Sequence, residues 1–141
     1  MAKIGDRKKQ CVTIYPSHTF TDAAVTFQLM RAPDYISLES ITVVDTDSGL
    51  IDNVATAIWS FENWDTGGSA AKSTGGSVMS AANLGGTVFT EKVPIRGTAF
   101  VYRDMAPGEY LTALYSPQAT NAGSAVKPCI MVEFMLGGGR D

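Results

Sequence analysis

The chain has 141 residues, enough for one domain, and 45% of them are hydrophobic while 18% are charged. This balance excludes an intrinsically disordered chain, and no run of about 20 apolar residues is present to cross a membrane as a helix. The net charge of -3 excludes a chain that is basic throughout, as a nucleic-acid-binding protein would normally be, and one histidine with two cysteines leaves little for metal or nucleophile chemistry.

The beginning of the chain is basic, whereas the rest is acidic. The basic residues of this segment are Lys3, Arg7, Lys8 and Lys9, against one acid. We predict that residues 1–10 form an arm, which is either a solvated terminus or a segment that reaches an acidic neighbour. A strand-like segment follows in place of an apolar core with a cleavage site, so we expect no signal peptide and folding in a reducing cytoplasm.

Short strands separated by turn signals follow the arm. Alternating apolar residues predict strands over residues 11–15, 24–30, 37–45, 54–62, 87–93, 98–103, 110–115 and 126–136. The best helix candidate, residues 78–84, is short and ends at two glycines. Eight short strands without helices predict an all-β fold, a two-sheet antiparallel sandwich of the jelly-roll kind over residues 11–136.

The last predicted strand is apolar on both faces. Ile130, Val132, Phe134 and Leu136 form one face, and Cys129, Met131 and Met135 surround Glu133 on the other. A strand of this kind is either central in its sheet or covered by a partner. We therefore predict partner contacts by Met131 and Met135, together with the basic residues Lys3, Arg7, Lys8 and Lys9.

Two segments lack strand or helix patterns. Residues 65–77 are rich in small residues and contain Thr-Gly-Gly-Ser twice, which predicts a long flexible loop inside the single domain. Residues 137–141 begin with three glycines and predict a short flexible tail. Neither segment divides the chain into separate domains.

Few residues suggest chemistry. The Ser-x-x-Lys match at residues 69–72 lies in a Gly-rich loop without its companion motifs, and His18 follows a proline in a turn, so we predict no catalytic residue and no cofactor. Asp45, Asp47 and Asp52 form either a solvated hairpin turn or a weak calcium site. Cys11 and Cys129 are expected as buried free thiols, unless the first and last strands are neighbours and a disulfide joins them.

An aromatic cluster precedes the Gly/Ser-rich loop. We expect Trp59 and Phe61 in the core, with Trp64 at an edge of the sandwich. The alternative is a carbohydrate-binding module, in which Trp59 and Trp64 form a platform for sugar rings with Tyr35 or Tyr102.

Four stretches carry a resemblance to a known group of proteins: ITVV at residues 41–44 before an Asp/Gly turn, AIWSFE at 57–62 before the Gly/Ser loop, GEYLTALY at 108–115 and IMVEF at 130–134. In this pattern the chain resembles the small β-sandwich accessory proteins of tailed-phage (bacteriophage) virions. The resemblance implies a non-enzymatic capsid decoration or cement protein that binds and stabilises the capsid lattice. A tail or fibre structural component remains an alternative.

The same resemblance implies particular partners and a location. We expect contacts with the capsid protein lattice, with copies of the same chain in a homo-oligomer such as a trimer, or with both. Membranes and nucleic acid are not expected as direct partners. The protein would be made in the host cytoplasm and would reside in the virion.

Overall fold

A computed structural model describes residues 8–17, 24–45, 57–80, 94–117 and 128–137. These residues form nine strands and no helix. The strands are β1 (Lys8–Ile14), β2 (Val25–Arg31), β3 (Ile36–Asp45), β4 (Ala57–Trp64), β5 (Ser77–Met79), β6 (Ile95–Gly97), β7 (Asp104–Met105), β8 (Tyr110–Pro117) and β9 (Pro128–Leu136). Their alternating apolar residues suit a pleated strand with one buried face.

The strands form two antiparallel sheets. The five-stranded sheet has the order β1-β9-β3-β6, with the short β7 paired to the beginning of β3. The four-stranded sheet has the order β2-β8-β4-β5. With β7 set aside, β1 pairs with β9 and β2 pairs with β8. This pairing of the first strand with the last, and of the second with the next to last, is the jelly-roll arrangement. The predicted all-β, two-sheet sandwich is confirmed.

The core lies between the inward faces that the alternation predicts. Ile41 and Val43 of β3 and Ile130 of β9 are fully buried in the five-stranded sheet. In the four-stranded sheet the indole of Trp59 lies 5.2 Å from the ring of Tyr115 and 6.1 Å from that of Phe27, measured between ring centroids. These contacts bury large apolar surfaces, which supply most of the stability of such a fold.

One predicted strand is wrong. Residues 98–103 form no strand, because this segment hydrogen-bonds in turn to each sheet: Val101 N–H donates to Val78 O and Leu38 N–H donates to Arg103 O, both at 2.8 Å. The short helix candidate at residues 78–84, which the all-β prediction did not include, begins in β5, where Val78 and Met79 are buried. The predicted strand over residues 87–93 lies outside the described residues.

The two ends of the fold meet in one pair of strands. β1 begins at Lys8, three residues before the predicted strand, so the end of the predicted arm belongs to the sheet. β9 lies between β1 and β3 and is therefore central, which explains why it is apolar on both faces.

Candidate functional site

The outer face of the five-stranded sheet brings together several of the predicted partner-binding residues. In the register of β1 with β9, Lys9 lies opposite Met135 and Thr13 lies opposite Met131. Because side chains alternate along a strand, these residues point away from the core, on the side opposite Ile130 and its inward neighbours. We call this surface the outer face and define it by Lys9, Cys11, Thr13, Ser40, Arg96, Met131, Glu133 and Met135.

The predicted residues differ in their placement. Met131 and Met135 are half-buried on the outer face, and the side chain of Lys9 is 58% exposed beside them. Lys8 is exposed but alternates to the other side of β1, opposite Leu136. Lys3 and Arg7 lie outside the described residues. Partner contact by these six residues stays a prediction.

Glu133 is the centre of the outer face, and its side chain is already paired. Its Oε1 accepts a hydrogen bond of 2.6 Å from Ser40 Oγ and lies 3.5 Å from an Arg96 guanidinium nitrogen, while its Oε2 lies 3.3 Å from Lys9 Nζ. The hydrogen bonds from Ser40 and Lys9 lower the pKa of Glu133 below its ordinary value, despite partial desolvation. The carboxylate therefore stays ionised and is held between two cations.

A bulge in β3 builds this arrangement. The register with β9 shifts between Leu38 and Ser40, which leaves Glu39 as the extra residue and sets Ser40 opposite Glu133. We did not predict Ser40 or Arg96 as site residues. The only sequence signal was Glu133, the one charged residue of an otherwise apolar strand.

A second polar cluster joins the Gly/Ser-rich loop, residues 65–77, to β4 and to the turn before β8. Glu109, which is 7% exposed, accepts hydrogen bonds from Asn63 Nδ2 at 3.0 Å and from Ala106 N–H at 2.7 Å, and its Oε2 lies 2.7 Å from Lys72 Nζ. The Lys72 N–H also donates to Asn63 O at 2.9 Å. The lysine of the Ser-x-x-Lys match thus pairs with a carboxylate. The flexibility of residues 65–77 stays a prediction.

This cluster predicts a dependence of stability on pH. Burial by itself raises the pKa of Glu109, but hydrogen bonds from Lys72, Asn63 and Ala106 outweigh it, so the pKa lies below its ordinary value of 4.5. The stabilisation is therefore complete above the unfolded pKa and is lost as the pH falls through the lower folded pKa. We expect the urea midpoint to decrease as the pH is lowered below the ordinary pKa of 4.5, and Glu109→Gln to flatten that change. An equally steep change in the variant would contradict this assignment.

One aromatic residue of the alternative sugar platform is buried. Trp59 is 2% exposed, so its assignment to a surface platform is wrong, whereas its expected place in the core is confirmed. Trp64 is half-buried and its indole N–H donates to Glu62 Oε1 at 3.0 Å. Tyr35 lies beside the end of β9, where its carbonyl accepts from Gly137 N–H, and Tyr102 packs against Gly75 of the Gly/Ser-rich loop.

The two cysteines are free and differ in exposure. Cys129 is buried as expected, but Cys11 is exposed, because it lies on the outer face of an edge strand. The first and last strands are neighbours, yet Cys11 lies opposite Glu133, which is four residues from Cys129. That offset is about 13 Å along a strand, beyond the reach of a disulfide.

The candidate metal ligands lie at the end of β3 or outside the described residues. Asp45 ends β3, while Asp47, Asp52 and His18 lie outside the described part of the chain. Among the residues whose placement is described, no three His, Cys, Asp or Glu side chains are grouped to hold a metal ion. No helix within those ranges is long and apolar enough to span a membrane.

The similarity of this chain to known proteins concerns the fold alone. No protein-family model matches the sequence, and no curated protein matches it. A chain in the capsid asymmetric unit of cyanophage Pam1 is similar in structure, with a TM-score of 0.47 and 13% identity over 94% of this chain and 86% of that chain. A chain in the acid-stable capsid structure of Helicobacter pylori bacteriophage KHP30 gives 0.47 and 13% over 92% and 94%. A chain of infectious bursal disease virus, Gx strain, gives 0.47 and 12% over 96% of this chain and 33% of that chain.

Proposed function

We propose that this chain is a non-enzymatic structural protein of a virus particle, a decoration or cement protein that binds and stabilises the capsid lattice. The observation that carries the proposal is the outer face, where Lys9, Met131 and Met135 surround a carboxylate that is already paired. The jelly roll itself is common among capsid and lectin domains and does not decide between functions.

The composition of the outer face suits contact with another protein. Methionine and arginine are enriched in the buried parts of protein interfaces, and methionine side chains adapt to irregular surfaces. Met131 and Met135 are half-buried, so a partner would remove the rest of their apolar surface from water. Glu133 keeps its hydrogen bond from Ser40 when it is covered, which lowers the cost of desolvating it.

The charges around the outer face define the chemistry of the partner. Lys9 and Arg96 are both more than half exposed and share the single carboxylate of Glu133. A capsid surface with acidic residues around an apolar patch would complement them. Lys3 and Arg7 precede β1 in the chain and would extend the same positive charge towards a neighbouring capsid subunit. The protein then strengthens the lattice by burying surface, without turnover.

Charged substitutions in the outer face test this proposal. The double variant Met131→Glu with Met135→Glu should weaken binding to capsids of its own virus by about tenfold or more, because two carboxylates would be desolvated against an acidic surface. Binding is measured by co-sedimentation with purified capsids. The matched control is Val101→Glu, an exposed apolar residue away from the outer face, which should bind like the parent chain.

Three results bear on the finer points. Unchanged binding by the double variant, with a normal melting temperature, would overturn the outer face as the binding surface. Genes for portal, capsid and tail proteins beside the gene for this chain would support a virion role. Separation of purified virions into heads and tails should place the chain with the heads, and its recovery with tails would favour a tail or fibre component instead.

A further inference from the structure

β1 is the longest regular sheet edge among the described residues. The other edge strands are shorter or irregular: β5 and β6 have three residues each, β7 has two, and the register of β2 shifts between Gln28 and Met30. β1 instead pairs with β9 without interruption over all seven of its residues. In the described part of the chain, no strand pairs with its other side.

The sequence of β1 leaves much of this edge unprotected. Proteins commonly guard an edge strand with lysine, proline, a bulge or a very short length. Both charged residues, Lys8 and Lys9, stand at one end, while Gln10 to Ile14 carries no charge and no proline. Within the described ranges the outward backbone N–H and C=O groups of this stretch have no strand partner, so they can pair with a further strand.

We propose that β1 pairs with β1 of a second copy of this chain, antiparallel and about a two-fold axis, so that two five-stranded sheets become continuous. This inference goes beyond the proposed function, because it assigns a surface for the contact between copies of the chain that the sequence analysis expects. A two-fold contact uses the same patch on both copies, as a self-complementary strand allows.

The charge pattern and the length of β1 select one arrangement. Parallel pairing would set two Lys8–Lys9 pairs side by side, whereas antiparallel pairing separates them to opposite ends. The register centred on Cys11 pairs all seven residues, and every other register pairs fewer. In it, Cys11 faces Cys11 of the second copy, and Lys9 faces Thr13 of the second copy.

This arrangement also uses an exposed aromatic residue. Tyr15 follows β1 and is 70% exposed, and its hydroxyl is within hydrogen-bond reach of the Cys129 side chain in β9 of the same chain. In the register centred on Cys11 it lies diagonal to Lys9 of the second copy, within reach of a long side chain. Lys9 keeps its ion pair with Glu133, and its methylene groups would cover part of the exposed ring.

Cysteine cross-linking of the isolated protein tests the register. Facing residues of an antiparallel pair have Cα atoms about 4.5 to 5.5 Å apart, within the range of a disulfide. Mild oxidation with copper phenanthroline, with dissolved oxygen accepting the electrons from two Cys11 thiols, should therefore give a covalent dimer. The matched control is Cys11→Ser combined with Thr13→Cys, whose thiols would lie about 13 Å apart across the same pairing.

We expect the control to cross-link at least about tenfold more slowly, since both cysteines are exposed on the same face and differ only in distance. Equal rates would overturn the register. A chain that sediments as a monomer even at millimolar concentration would overturn the pairing. If that monomer still binds capsids through the outer face, the proposed function stands and this inference alone fails.

Proline substitutions provide a second measurement. Neighbouring residues of an edge strand direct their N–H groups to opposite sides, so either Val12→Pro or Thr13→Pro removes an N–H that points away from β9. The proline variant that lacks the outward N–H should keep the melting temperature of the parent chain and lose the dimer. The other proline variant lacks an N–H that bonds to β9, so its melting temperature should fall. A stable proline variant that still dimerises would contradict the pairing.

Discussion

Replacing Glu109 with alanine should lower the free energy of unfolding by about 3 kcal/mol, because it leaves Lys72 and the buried amide of Asn63 without their shared acceptor. The Ala106 N–H loses its acceptor as well. A buried polar group that has lost its partner costs more than the intact pair contributes. The measurement is urea unfolding at neutral pH, followed by tryptophan fluorescence.

Glu133→Ala is the matched control for this prediction. Glu133 also pairs with cations, Lys9 and Arg96, but these contacts lie on the outer face and are open to solvent. Exposed ion pairs contribute little because water and salt screen them. Glu133→Ala also removes the acceptor of the buried Ser40 hydroxyl, but Glu109→Ala removes the acceptor of three donors, so the loss from Glu133→Ala should be smaller. Equal losses of unfolding free energy in the two variants would show that the buried contacts of Glu109 do not stabilise the fold more than exposed ion pairs do.

Replacing Trp59 with alanine should cost about 3 to 5 kcal/mol, because it opens a cavity between Phe27 and Tyr115 in the centre of the core. Where the alanine variant fails to fold, Trp59→Phe keeps part of the contact and should show a smaller loss. Thermal and urea unfolding measure both.

Comparison with Trp64→Ala tests whether Trp59 lies in the centre of the core and Trp64 at its edge. Trp64 is half-buried and contributes one hydrogen bond to Glu62, so its replacement should destabilise the chain far less than that of Trp59. If Trp64→Ala proves the more damaging variant, the assignment of Trp59 to the centre of the core is wrong. Loss of glycan binding on Trp64→Ala would revive the carbohydrate-binding alternative.

The sequence predicts the inward faces well because alternation is a local property. Ile41 and Val43, or Ile130 and Val132, stand two residues apart, and a pleated strand must place both on one side. The number of such strands then requires two packed sheets, since a single sheet leaves one apolar face uncovered. For the same reason the apolar character on both faces of β9 predicted a central or covered strand.

The candidate site depends on register, which alternation does not determine. Ser40 and Glu133 are 93 residues apart, and a bulge of one residue brings them within hydrogen-bond distance. Glu109 and Lys72 meet only because the Gly/Ser-rich loop lies against the turn before β8. The exposure of Cys11 could not be predicted for a similar reason. The alternation around Cys11 predicts a strand, but it does not show that this strand lies at the edge of its sheet.

Residues 98–103 show that alternation is not sufficient for a strand. Ala99 and Val101 alternate with Phe100 and Tyr102 as in a strand, yet the backbone of the segment bonds first to Val78 of one sheet and then to Leu38 of the other. A strand needs a neighbour that runs beside it over several residues. Whether such a neighbour exists depends on the connection between the sheets, which the local pattern does not contain.

Reconstruction by electron cryo-microscopy of capsids incubated with this protein tests the central claim most directly. The account predicts density for the sandwich on the shell, with β9 and β1 towards the capsid and Met131 and Met135 in the contact. A sandwich seated through the four-stranded sheet, or a shell without added density at saturating protein, would contradict it.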